Sequence, residues 1–496
     1  MIMKFAHRNI LNCNKLLQFT AVLSASPFLW SSAFAAQNLY FNESLSNDDR
    51  YLNESSNWFT DEGRTQQFDG SLSSDYNGIV NRKGASKLIA ETGMLELNSL
   101  SFIMSNVSSA SAKDNLLAMS GTVVLSEDLN FNISMSESDT SGANVNDTIY
   151  LYSGSAKLIA GGDVNISYSQ PENTFYSLRI IYNRNVSDGD SAEVSVGGDF
   201  NVTSPTNSKL RLNISVANFK VDGVMNIGNT VWTLSSSNNN GGSSYLSRAI
   251  GGLDSGGQSG DIITTATDID TGLVFKNAAQ CEWRGGFGAN GNLNLSMEAS
   301  DAQNGRQIIR FTQKGYGNSA DINDVTVSNG RLDIGMHSGM KGNRLSLVGT
   351  QAVFSATSGD SGDIGTVTFN EGEWYAGKIA VDIEGELAYD KIVFNGRFDK
   401  TGSDRDMGFE FTFDEYAMMD FISAGGGEFI LEDVITYETG STMAGTVFEG
   451  NTSGIRWEAV FGDTSLSVTF TVPEPATAAV VLGAIALALA AYRRKR

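Results

Sequence analysis

Fifty-six acidic side chains, with almost nothing beside them to act as a nucleophile or a soft metal ligand, bound the chemistry open to this 496-residue chain. The two histidines are His7 and His337, and the two cysteines are Cys13 and Cys281. His7 and Cys13 lie in the first fifteen residues, leaving His337 and Cys281 alone in the rest, so no Cys₂His₂ or Cys₄ zinc site, disulfide framework or Cys–His dyad can be built within the chain. His337 lies in Gly335-Met336-His337-Ser338-Gly339, which reads as a surface turn, and Cys281 reads as an isolated buried thiol. Paired carboxylates roughly 5–10 Å apart would suit glycoside hydrolysis. Chance alone supplies such pairs among this many acids, and no stretch of sequence gathers acids with His, Lys and Arg. Acidic glycine-rich loops around Asp268 and Asp270, and around Asp360 and Asp363, offer the oxygen ligands that calcium prefers. Neither follows the EF-hand spacing nor a repeated nonapeptide, and turn chemistry explains aspartate beside glycine equally well. No cofactor is expected, with calcium at those loops as the one open possibility. Trp58, Trp232, Trp283, Trp374 and Tyr375 are candidates for stacking on sugars or for packing, whereas Trp457 alternates with Ile455 and reads as core. No Gly-x-Ser-x-Gly elbow, phosphate-binding loop or His-Glu-x-x-His occurs. The expectation is that the chain is not an enzyme.

Whatever these side chains do, strands must position them. Ser465-Leu466-Ser467-Val468-Thr469-Phe470-Thr471-Val472 alternates polar and apolar residues, as do Phe409-Glu410-Phe411-Thr412-Phe413 and Leu293-Asn294-Leu295. Side chains on a strand point alternately to opposite faces, so each segment has one buried and one wetted side. The runs share a grammar of glycine or Asp-Gly before x-apolar-x-apolar. It is seen in Gly161-Gly162-Asp163-Val164-Asn165-Ile166, in Gly197-Gly198-Asp199-Phe200-Asn201-Val202 and in Asp222-Gly223-Val224-Met225-Asn226-Ile227. The fold class predicted is all-β: an elongated parallel β-solenoid, or β-helix, with tandem β-sandwich domains as the alternative. The scarcity of proline linkers favours the solenoid. So do the asparagines and serines at strand edges, which can stack between coils as hydrogen-bonded ladders. Gly362-Asp363-Ile364-Gly365-Thr366-Val367-Thr368-Phe369 and Ala388-Tyr389-Asp390-Lys391-Ile392-Val393-Phe394-Asn395-Gly396 resemble the closing coils of autotransporter β-helix passengers. At about 20–25 residues and ~4.8 Å per coil the body would be a rod on the order of 90 Å. Residues 36–234 and 262–472 are expected to form its two parts, with the Ser/Asn/Gly-rich residues 235–261 as a flexible excursion between them. A short helix is expected near 414–424.

The two ends read as addresses. Lys4, Arg8 and Lys15 precede an apolar stretch from Leu16 to about Trp30, and Ala33-Phe34-Ala35 supplies a small-x-small cleavage pattern with Ala36 as the new N-terminus. Residues 1–35 are therefore expected to be a signal peptide, handled by a signal peptidase. At the other end Val472-Pro473-Glu474-Pro475 is followed by the seventeen uncharged residues 476–492 and then by Arg493, Arg494, Lys495 and Arg496. Seventeen helical residues span roughly 25 Å, enough for one transmembrane helix, and the basic tail favours the cytoplasmic side. Pro473-Glu474-Pro475, the apolar helix and the basic tail together resemble the PEP-CTERM sorting signal (residues 473–496). That resemblance implies recognition by an exosortase, removal of the tail, and transfer to the cell surface, the outer envelope or the exterior. It also suggests association with exopolysaccharide or biofilm.

Composition narrows the partners. Charged residues are 18% of the chain and the formal net charge is −22. Without residues 1–35 and the basic tail, 27 cations would face 56 acids. A nucleic-acid partner, which needs a basic face, is not expected. The leading functional expectation is an exported structural or adhesive surface protein. The competing one is a carbohydrate-active enzyme, a glycoside hydrolase or polysaccharide lyase, on the same scaffold.

Overall fold

The computed structural model describes residues 35–472 apart from 46–50, 82–86, 90–92, 108–112, 136–143, 153–154, 170–174, 183–191, 204–208, 217, 229, 235–245, 256–260, 266–270, 289–292, 315–321, 359–363, 386, 415–426 and 453. The chain divides into two compact units, Met1–Ala35 and Ala36–Arg496, and all described residues but Ala35 belong to the second. Among the described residues the fold is all-β, with one extended, mostly parallel sheet network and two 3-10 turns, Ser55–Asn57 and Asp404–Asp406. No described helix is long and apolar enough to cross a membrane; residues 476–492 lie outside the described residues, as does nearly all of the helix expected near 414–424.

The pairing follows from the alternation. Lys157–Ala160 lies parallel between Thr122–Leu125 and Glu193–Val196, so Leu158 meets Val123 on one side and Val194 on the other. Val164–Ser169 lies in the same way between Leu129–Met135 and Phe200–Thr203, with Val164 beside Leu129 and Phe200. Each strand here pairs with the third strand along the chain. At Asn218–Asn226 two strands become one, which pairs with both Glu193–Val196 and Phe200–Thr203. From there Leu246–Asp254, Thr271–Phe275 and Leu293–Glu298 follow at every second strand. Parallel register lays apolar residue on apolar residue. Their inward side chains form one contiguous core running from Leu39 to Phe470. Burying each large aliphatic or aromatic side chain contributes about 1.5–3 kcal/mol before the cost of ordering the chain.

The same register lays polar residue on polar residue outside. The Asn165 amide donates to Asn130 Oδ1 at 3.0 Å, Asn201 donates to Asn165 at 3.0 Å, and Asn226 donates to Asn201 at 2.7 Å. A second series runs beside it at the turns. Asp128 Oδ1 accepts from the Asp163 N–H, Asp163 from the Asp199 N–H, and Asp199 from the Val224 N–H, each at 2.8 Å. Gly-Gly-Asp is required here because the turns nearly touch. A Cβ on Gly198 would overlap the Asp163 carboxylate and lie 2.9 Å from the Gly162 carbonyl carbon. Further along the chain the Asn323 amide donates to Asn294 at 3.0 Å, and the Asn343 amide donates to Asp324 at 3.3 Å. The ladders expected from the sequence are therefore present.

Two expectations need correction. Residues 235–261 are not one excursion, because Leu246–Asp254 is a strand paired with Asn218–Asn226 and Thr271–Phe275. Its Gly251-Gly252 pair, read as linker, is a close strand approach: any side chain on Gly251 would strike the Asp222 carbonyl oxygen. The repeat is also less uniform than 20–25 residues: it is 25 from Arg306 to Arg331 and 22 from Arg331 to Val353, but longer in other coils. Matched asparagines are separated by 35, 36, 25 and 29 residues.

Both described ends depart from the parallel pattern. Trp58–Phe59 pairs antiparallel with Gln37–Phe41, and the Trp58 indole donates to the Leu52 carbonyl at 2.8 Å. Near the other end Gly427–Thr436, Val447–Thr452, Ile455–Phe461 and Ser465–Val472 form an antiparallel group. Its inward face holds an aromatic cluster in which Phe411 meets Trp457 and Phe470, each with ring centroids 5.0 Å apart. Turning antiparallel lets the chain cover the last parallel layer with its own side chains, as an exposed sheet edge invites pairing with other chains.

Asn165 donates one ladder bond and accepts another, so Asn165→Ala is expected to lower the urea midpoint by an amount corresponding to about 1–3 kcal/mol. An unchanged midpoint would show that the ladder contributes nothing to stability.

Candidate functional site

The stacking that builds the core also brings charged residues together on one side of the sheet. Six consecutive layers contribute: Gln280–Gly288, Arg306–Lys314, Ile322–Met336, Gly342–Ser358, Gly377–Gly385 and Met407–Phe413. Register sets Gln280, Arg306 and Arg331 in one row and Glu282, Ile308, Asp333 and Ser355 in the next. Arg284, Arg310, Gly335 and Thr357 make a third. Rows on one face are two residues apart along each strand and layers are about 4.8 Å apart, so guanidinium and carboxylate groups meet diagonally.

They form a braced network. Glu282 Oε1 accepts from Arg284 Nε and from Arg310 Nε, both at 2.7 Å. Arg310 is almost fully buried, and its Nη1 also donates to Thr357 Oγ1 at 2.8 Å and to the Ser358 carbonyl at 3.0 Å. Asp333, 1% exposed, accepts from Arg331 Nε at 2.7 Å and from Arg306 through both Nε and Nη2. Arg306 Nη1 reaches Gln280 at 3.2 Å, and Arg331 Nη2 lies 3.8 Å from Asp382. A buried carboxylate held by two arginines offsets the cost of removing its charge from water, which an unpaired one could not.

The network walls a groove of about 520 Å³. Arg284, Arg306, Arg310 and Arg331 line it together with Glu282, Asp382, Glu384 and Asp414, and Ile308, Ile383 and Phe413 supply apolar surface. Burial would raise the Glu282 carboxyl, but the bonds from Arg284 and Arg310 prevail and hold it below its ordinary range. At Asp382 burial prevails over the neighbouring Arg331 and holds the carboxyl above that range. Burial opposes the charge on Arg331, and Asp333 and then Asp382 more than offset it. Behind the groove Asp390 is buried, accepting from the N–H groups of Gly365 at 2.9 Å and Asp382 at 3.0 Å and from Ser355 Oγ at 3.4 Å. Its surroundings push its carboxyl up to about 8, chiefly through burial.

The residues singled out in the sequence fall elsewhere. Trp58, Trp232, Trp283 and Trp374 are fully buried, so none is available to stack on a sugar, while Tyr375 is 55% exposed. Trp457 is core, as expected, and His337 is exposed in its turn. Cys281 is buried beside Gly252, and burial followed by Asp254 and Asp199 pushes its thiol up to about 11. Asp268, Asp270, Asp360 and Asp363 lie outside the described residues. Among the described residues no three His, Cys, Asp or Glu side chains are grouped to hold a metal ion. Ala35 is exposed, Ala36 immediately precedes the first strand, and Val472 ends the last strand, paired with Gly427. Ala33, Pro473, Glu474, Pro475 and Arg493, Arg494, Lys495 and Arg496 are outside the described residues.

The groove is the site that sequence reasoning missed. Its residues are dispersed from Gln280 to Asp414, so no local cluster exists to find. A signal was present nonetheless in Glu282-Trp283-Arg284, Arg306-x-Ile308-x-Arg310 and Arg331-x-Asp333, where charges alternate with buried residues on strands that repeat. No protein-family model matches the chain, and no curated protein does.

Asp390 generates a pH prediction. The unfolded carboxyl ionises near 4, so between there and about 8 the folded state keeps a proton that the unfolded state has lost. Stability from this group therefore falls as pH rises through that window and levels off above it. Asp390→Asn is expected to remove that decline, read as urea midpoints between pH 5 and 8.5. An equal slope in variant and wild type would contradict it.

Proposed function

We propose that residues 36–472 are an exported parallel β-solenoid with a structural or adhesive role at the cell surface, associated with exopolysaccharide. The observation that supports this most is the unbroken series of fourteen parallel pairings that leads from Gln37–Phe41 to Gly427–Thr436. At about 4.8 Å per layer that series amounts to roughly 65–70 Å. That series is shorter than the rod expected from the sequence, because several repeats use more than 25 residues. Polar ladders repeated along such a body present the same groups many times, and weak contacts add through multivalency.

Export rests on the two ends. The first strand begins at Gln37, directly after the Ala33-Phe34-Ala35/Ala36 cleavage pattern, and the last ends at Val472, directly before Pro473-Glu474-Pro475. Signal peptidase would act at the first boundary. An exosortase would act at the second, after residues 476–492 had held the chain in the membrane as a single-pass helix. Cell surface, outer envelope and exterior are the destinations that follow. A carbohydrate-active enzyme is the second reading, favoured by the carboxylates Asp382, Glu384 and Asp414 in one groove.

Mass spectrometry of the protein recovered from its native host is expected to find a start at Ala36 and an end near Val472–Pro475. An intact Arg496 on the mature protein would contradict sorting. Purified residues 36–472 are expected not to depolymerise polysaccharides; turnover that Asp382→Asn abolishes would replace the structural reading with the enzymatic one.

A further inference from the structure

We infer that the arginine-braced groove is a binding subsite for an uncharged, hydroxyl-rich glycan segment, an inference that rests on the polysaccharide association proposed above. Two features of its chemistry favour a sugar. A hydroxyl both donates and accepts, so it is best met by walls that offer both functions side by side. Arg284 and Arg306 present guanidinium donors at the groove, while Glu384, Asp414 and Thr412 present acceptors from exposed positions. Phe413, only partly buried, provides an apolar surface for the C–H face of a sugar ring.

The charge arrangement selects a neutral ligand over an acidic one. The arginines are braced by carboxylates: Glu282 holds Arg284 and Arg310, and Asp333 holds Arg306 and Arg331. What reaches the ligand is therefore a set of oriented N–H groups and not a net positive field. A polyanion would also meet Asp382, Glu384 and Asp414 at the groove and the net charge of −22 on the chain. Bracing has a second consequence: the long arginine side chains are already fixed before a ligand arrives, so less rotamer freedom is lost on binding.

Affinity electrophoresis of residues 36–472 tests this with gels containing dextran, galactomannan or mixed-linkage β-glucan, and with gels containing alginate or polygalacturonate. Retardation is expected in at least one neutral gel and is expected to persist in 0.5 M NaCl. Arg284→Ala and Glu384→Gln should each weaken it about tenfold or more, the loss of one charge-assisted hydrogen bond. Arg456→Ala, on the antiparallel strands far along the chain, should not. Far-ultraviolet circular dichroism and the urea midpoint establish that the variants fold. Retardation only by the acidic gels, or equal retardation of the groove variants, would overturn the subsite while leaving polysaccharide association standing. No retardation in any gel would overturn both.

Discussion

In-register parallel stacking is the constraint on which the rest of this structure depends. Once Leu158 lies between Val123 and Val194, every other residue of those strands has its neighbours decided, because a strand has only two faces. Apolar side chains are stacked into a continuous core, and polar ones are stacked into ladders. The asparagine series 130–165–201–226 is the outward counterpart of the aliphatic series inside. A slip of one residue would place asparagines in the core and expose Val, Leu and Ile, so the ladder and the core specify the same register from opposite sides. The Gly-Gly-Asp turns add a third condition, because their backbones pack too closely for a side chain on Gly198.

That constraint explains what could be read from the sequence. Alternation with period two announces strands, and Gly-Gly-Asp before Val164 and Phe200 announces equivalent turns, which pair in register as that equivalence implies. Stacked asparagines were legible for the same reason. What stays hidden in a linear reading is the phase between distant strands. Leu246–Asp254 was masked by flanking serine, asparagine and glycine, although Ile250 and Leu253 are fully buried. Strand spacing was underestimated because residues between strands carry no periodic signal. The tryptophans show what alternation alone can decide. Trp283 sits between Glu282 and Arg284, so one face must take the two charges and the other the indole, and the indole is inside.

The charged groove is the least legible part and follows from the same geometry. Arg284, Arg310 and Thr357 are far apart in sequence and become neighbours only through the register of four stacked strands. Isolated, each charge on an alternating strand is an ordinary solvated residue. Stacked, they neutralise one another, leave oriented donors and acceptors, and enclose a groove. A scaffold of repeated layers can thus acquire a specific site by changing a few outward residues in successive repeats without disturbing the core.

The most direct test of the stacking is a pair of distances. Spin labels placed at the outward-facing residues Lys157 and Asn294, which lie in one column of the register, are separated by five parallel steps, and labels at Lys157 and Asn343 by seven. At about 4.8 Å per step, pulsed electron paramagnetic resonance should give about 24 Å for the first pair and about 34 Å for the second, each as a single narrow distribution. A second distance no longer than the first, or a broad distribution, would show that the layers are not stacked in this order.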